Sequence, residues 1–113
     1  MIERLRSRLL VQALIRRTQE EGGFATVIHK GDPVSGAILL QCPDADRRPR
    51  LFERMPDFSK GYVLAQVASS SWGSEEQITQ YIDKRHRSDP DLWVVELDVP
   101  NGEQLAAGVL TDD

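Results

Sequence analysis

Ser88-Asp89-Pro90-Asp91-Leu92-Trp93-Val94-Val95-Glu96-Leu97 is the stretch on which the fold turns, because within it a helix must stop, a turn must form and a strand must begin. Pro90 has no amide hydrogen to offer a helix and pushes Asp89 out of the α region. Leu92 to Leu97 is a β-rich run that suits a pleated, mostly buried surface. Upstream, Ser74 and Gln77 have capping-box spacing, and Glu75 and Glu76 complement the positive end of a helix dipole. Ile78, Tyr81 and Ile82 supply an apolar stripe, and Lys84, Arg85 and Arg87 fall in the last turn, where cations are favoured. A helix over 74–88 is therefore predicted. Downstream, the strand runs to about Val99, Pro100-Asn101-Gly102 reads as a tight turn, and Gln104 to Leu110 is expected to be a final strand.

Working back toward the N-terminus, Ile2, Leu5, Leu9 and Ala13, with Leu10 and Leu14, mark a stripe at helical spacing that widens over Leu9 to Ile15. Gly22-Gly23 ends that helix, since glycine adopts the left-handed conformation after a C-cap without a Cβ penalty. Phe24 to His29 is the first strand and Lys30-Gly31-Asp32-Pro33 a turn. Ser35 to Cys42 is apolar on both faces and so belongs at the centre of a sheet. Pro43 to Pro49 is a polar loop. Arg50 to Met55 alternates poorly and suits an edge. After a turn over 56–61, Tyr62 to Val67 is a fourth strand, and 68–73 a connection anchored by Trp72.

At 113 residues, with 40% hydrophobic and 28% charged side chains, the chain is expected to be a single globular domain over 1–113. The single cysteine, Cys42, allows no internal disulfide and no cysteine-based zinc site, which makes the cytoplasm the default location. The basic start imitates a signal peptide only superficially, because Gln12 interrupts the apolar run and Arg16-Arg17 follows without a small-residue cleavage site. No stretch is long and apolar enough to span a bilayer, so no membrane association is expected. Residues 1–17 hold five arginines against Glu3, a net of +4, so the remainder carries −8 of the total of −4. Without aromatic residues interleaved among the arginines, a solvated helix face is favoured over a nucleic-acid surface.

Most catalytic arrangements fail on the residues. Gly31 to Gly36 has the glycine spacing of a phosphate loop, but Ala37-Ile38 stands where a lysine and a hydroxyl are required. Cys42 lies in an apolar strand and reads as an inert thiol, while Ser69, Ser70 and Ser71 match no nucleophile elbow. Asp89, Asp91, Glu96 and Asp98 could in principle meet around a hard cation, but the spacing matches no metal loop, and an Asx-turn accounts for Asp-Pro-Asp. His29 and His86 read as surface residues, and Trp72 and Trp93 as core anchors. No cofactor and no metal is implied.

Val11-Gln12-Ala13-Leu14-Ile15-Arg16-Arg17, Lys30-Gly31-Asp32 with Gly36-Ala37, and Asp89-Pro90-Asp91-Leu92-Trp93-Val94-Val95-Glu96 together resemble the blocks of a small alphaproteobacterial family known as domain of unknown function 1491. The resemblance implies a bacterial, cytoplasmic, single-domain protein and no particular activity. The fold class expected is α+β, or a three-layer α/β arrangement: one mixed or largely antiparallel sheet of four to five strands, packed by the N-terminal helix and the helix over 74–88. Doubly apolar strands place helices on opposite faces, or both on one face with a homodimer covering the other. Arg16, Arg17, Lys30, Asp89 and Asp91 sit at element ends, where loops can converge on a small polar ligand. A non-enzymatic binding or regulatory module for a protein partner or such a ligand is one reading. The other is a small hydrolytic or metal-dependent enzyme using Asp89 and Asp91 with Glu96 or His86.

Overall fold

The computed structural model describes residues 6–67 and 74–111, so the expectations for Ile2, Arg4, Leu5, Ser69, Ser70, Ser71 and Trp72 lie outside the described residues. The chain order is α1 (Ser7–Glu20), β1 (Phe24–His29), β2 (Ile38–Pro43), β3 (Pro49–Asp57), β4 (Gly61–Gln66), α2 (Glu75–Ser88), β5 (Trp93–Asp98) and α3 (Gly102–Leu110). The strands form one mixed sheet in the order β1-β5-β2-β3-β4. β5 runs parallel to β2 at the centre, and the other three pairings are antiparallel.

The helix boundaries follow from local chemistry. α1 closes on a Schellman arrangement, in which the Gly23 amide donates to Thr18 O and the Gly22 amide to Gln19 O, with Gly22 at φ 81°. Ser74 Oγ accepts the Gln77 amide at the start of α2, as the capping box requires. The third helix corrects the strand expected over Gln104 to Leu110. Asn101 turns the chain at φ 57°, Glu103 sits in the first turn, and Leu105, Ala106 and Leu110 are buried at helical spacing. Ala106, Ala107 and Gly108 are poor strand formers, and a short apolar run has no periodicity strong enough to separate strand from helix.

The central strands are apolar on both faces because both faces are covered. On one side α1 and α3 pack Leu10, Val11, Leu14, Leu105, Ala106 and Leu110 against Ile38, Leu40, Cys42, Phe52, Trp93, Val95 and Leu97. On the other, Ile78 and Ile82 of α2 cover Leu39, Leu51, Leu92 and Val94. Helices thus occupy opposite faces. β3 is longer than expected and lies inside the sheet, not at its edge; β1 and β4 are the edges. The poor alternation of β3 arises because charged residues on it have partners. Glu53 forms a forked pair with Arg85 of α2, at 2.7 and 3.0 Å, and Tyr81 Oη lies 2.9 Å from the same guanidinium.

Trp93 is 4% exposed, within the larger cluster, and its indole Nε1 donates to Asp32 O at 2.7 Å. Trp93→Ala is expected to lower unfolding free energy by roughly 3 to 5 kcal/mol through lost burial and an unfilled cavity, with Trp93→Phe losing less because the phenyl ring keeps part of the packing while the hydrogen bond and the rest of the indole go. Chemical denaturation of the two variants measures both; equal losses would mean that packing of the ring is not what holds this strand.

Candidate functional site

All the conspicuous chemistry at one end of the sheet follows from how three sequence blocks lock together where β2 and β5 begin. The Asp91 carbonyl presses against the backbone of the loop over 30–36: a Cβ at either Gly31 or Gly36 would land on that oxygen, so both positions require glycine. The Asp32 amide donates to Asp91 O at 3.0 Å and the Trp93 amide to Ala37 O at 2.8 Å. α1 docks on the same loop, with the Arg8 amide donating to Pro33 O and the buried Ser7 hydroxyl to Gly36 O at 2.6 Å. Asp32 organises the loop from within, because its Oδ2 accepts the Ser35 and Val34 amides and the Ser35 hydroxyl. The Ser35 amide, then that of Val34, hold its carboxyl below the ordinary aspartate value.

Beside this knot lies a cavity of about 500 Å³, bounded by the start of α1, the loop over 34–37 and the β3–β4 hairpin. Arg6, Ser35, Arg54, Pro56 and Tyr62 line it, and no carboxylate, histidine or cysteine is among the described lining residues. Arg54 is held in place: its Nε donates to Leu110 O at 2.8 Å and its guanidinium lies 3.5 Å above the Tyr62 ring. Arg6 stands exposed at the N-cap of α1, where it makes no side-chain cap bond. Sequence reasoning missed Arg54 and Tyr62. The available signal was the placement of Arg50, Phe52 and Arg54 on one face of a strand, two cations on a face that also carries a core aromatic.

The five residues singled out from sequence are divided between the two ends. Lys30, Asp89 and Asp91 belong to the end where β2 and β5 begin. Asp89 Oδ1 accepts the Asp91 amide at 3.1 Å in an Asx-turn. Arg16 and Arg17 are exposed near the far end of α1, which is anchored at Ser7 and rises about 1.5 Å per residue, so they stand roughly 14 Å along the axis from that anchor. The direction of α1 thus carries Arg16 and Arg17 away from the loop that meets Asp91. None of the five lines the cavity.

Two further readings gain detail. His29 and His86 are not separate surface residues: their rings stack at 3.9 Å with an 8° tilt, joining the end of β1 to the last turns of α2. Cys42 is fully buried, and burial pushes its thiol up to about 11, so little thiolate exists at neutral pH. Among the described residues no group of three His, Cys, Asp or Glu side chains is placed to hold a metal ion, and no helix is long and apolar enough to cross a membrane.

The sequence profile of the family described as "Protein of unknown function (DUF1491)" matches residues 5–107, and the chain belongs to that family. A crystal structure of a DUF1491 family protein from Caulobacter crescentus CB15 superposes with a TM-score of 0.79 at 34% identity, covering 90% of this chain and 94% of that one. An NMR structure of a DUF1491 family protein from the same organism gives 0.76 at 34% identity, over 89% and 91%. A solution structure of a protein from A. tumefaciens gives 0.70 at 30% identity, over 97% and 94%. Both organisms are alphaproteobacteria. No match is found among curated proteins.

The depressed Asp32 carboxyl sets a pH dependence. A group whose pKa is lower folded than unfolded contributes stability above its unfolded value and loses it as pH falls through the folded one. Asp32→Asn is thus expected to melt below the wild type at neutral pH, with the gap narrowing as acid titrates the wild-type carboxyl. Melting temperatures of the two proteins across an acid series test this; a gap constant down to the most acidic point would assign the loss to something other than the charge.

Proposed function

We propose that this member of the DUF1491 family is a non-enzymatic cytoplasmic binding module whose ligand is small and anionic and sits in the cavity between α1, the loop over 34–37 and the β3–β4 hairpin. The carrying observation is the charge of that cavity: two guanidinium groups, Arg6 and Arg54, line a space of about 500 Å³ together with the Ser35 hydroxyl and the apolar Val34, Ile38 and Pro56. A mostly apolar concavity with a few fixed polar groups is the common form of a small-ligand site. Guanidinium groups suit carboxylate and phosphate, because their paired N–H donors match two oxygens at once. An enzyme built on Asp89 and Asp91 has less support. Asp89 already accepts the Asp91 amide, and both residues stand outside the cavity.

Titration of the protein with phenyl phosphate and, separately, inorganic phosphate tests the reading, followed by amide shifts in two-dimensional NMR. Saturable shifts at Ser35, Gly36, Ala37 and Tyr62 are expected, larger for phenyl phosphate because its ring adds contact with the apolar wall. Arg6→Gln should weaken binding about tenfold, the worth of one charge-assisted hydrogen bond, and leave the fold intact at an exposed position. Shifts that fail to saturate, or the same affinity in Arg6→Gln, would discard the site.

A further inference from the structure

We propose that the protein pairs with a second copy of itself through β1, the two strands running antiparallel about a twofold axis at Thr26 so that their sheets become continuous. β1 is an edge strand, bonded to β5 on one side only, which leaves backbone N–H and C=O groups on its other side directed away from the sheet. Such edges are ordinarily blunted by lysine, proline or a covering element. Phe24-Ala25-Thr26-Val27-Ile28-His29 contains neither residue. Instead Phe24 is 74% exposed, Ile28 40% and Val27 37%, three of the seven large hydrophobic side chains left exposed among the described residues. Isolated exposed apolar residues are normal, but three within five residues of an unpaired strand concentrate apolar surface at this edge, on both faces of the strand. The irregularity between Val27 and His29 leaves Ile28 without a partner in β5, so the regular register covers Phe24 to Val27 and Ile28 stands at its end.

The occupant is a second copy because the strand and its flanks are self-complementary. Antiparallel pairing centred on Thr26 sets Phe24 opposite Ile28 and Ala25 opposite Val27 of the second copy, and by symmetry repeats each pair. Exposed Glu20 and Glu21 precede the strand and exposed Lys30 follows it, so antiparallel pairing brings the acidic flank of each copy to the basic flank of the other. A twofold axis normal to the sheet keeps both copies of α1 on the same face. No side chain has to be buried without a partner.

The experiment compares the full chain with Thr26→Lys and Thr26→Val by sedimentation over a concentration series. Within one copy Thr26 lies across from Glu96 of β5 and is exposed, so a lysine there gains a carboxylate neighbour and leaves the fold alone. At the twofold axis the same change sets two ammonium groups face to face. The wild type is expected to pass from monomer to dimer with concentration, Thr26→Lys to weaken that association at least about tenfold with an unchanged melting temperature in dilute solution, and Thr26→Val to retain it. If Thr26→Lys melts low, Phe24→Asp replaces it as the disrupting variant. A wild type that stays monomeric to about 500 μM, beyond the range of weak but specific self-association, overturns the proposal and leaves the edge to an extended segment of another protein. A dimer that survives the disrupting substitution overturns it as well, since another surface then holds the copies together.

Discussion

The close approach of the Asp91 carbonyl to Gly31 and Gly36 is the constraint from which the rest of the architecture follows. A turn between a helix and a strand has to settle against something, and here it settles on the loop that joins β1 to β2. That contact aligns β5 parallel with β2, because the Trp93 amide reaches Ala37 O only if the two strands start together. It also buries the Trp93 indole, whose N–H would be costly in the core without Asp32 O to receive it. α1 then lies along the sheet because Ser7 and Arg8 bond to the same loop. One interaction thus fixes two strands, a helix and the principal aromatic anchor.

The family-marking blocks acquire a physical meaning from this arrangement. Lys30-Gly31-Asp32 with Gly36-Ala37 lies far in the chain from Asp89 to Glu96 and interlocks with it in space, and Ser7 and Arg8, just ahead of the Val11 to Arg17 block, bond to the same loop. Their side chains are mostly occupied with the backbone of one another: Asp32 with Val34 and Ser35, Asp89 with Asp91 and Trp93 with Asp32. Groups already engaged in this way hold a shape more readily than they attack a substrate. The residues that line the neighbouring cavity from the hairpin side, Arg54, Pro56 and Tyr62, come from outside those blocks.

What could be read from the chain alone was whatever local chemistry decides. The α1 terminus at Gly22-Gly23, the capping box at Ser74 and the strand after Pro90 each depend on a handful of adjacent residues, and each is found where the sequence puts it. The doubly apolar β2 and β5 likewise announce a sheet covered on both faces. Two kinds of information were not legible. The identity of α3 depended on whether the six-residue run from Leu105 to Leu110 met a sheet edge or a helix, and here it packs beside α1 in one cluster. The position of β3 depended on partners, since Glu53 is acceptable inside the sheet only because Arg85 arrives from α2.

The grouping of charged residues into a site was hidden in the sequence for the same reason as the position of β3. Charged residues at element ends look equivalent in a sequence, and only the direction of each element assigns them to one end of the sheet or the other. α1 carries Arg16 and Arg17 away from Asp89 and Asp91 because its first turn is pinned at the loop over 33–36, and its fixed rise does the rest. Arg54 moves the opposite way: it reads as an irregular strand residue, yet its neighbours Leu110 and Tyr62 hold its guanidinium at the cavity wall. A cation restrained by a backbone carbonyl and an aromatic face loses less freedom on binding than one on a solvated helix, because part of the ordering has already occurred. That difference in restraint, invisible to composition and spacing, separates Arg54 from Arg16 and Arg17: one guanidinium is fixed against the hairpin, the others stand on a solvated helix face.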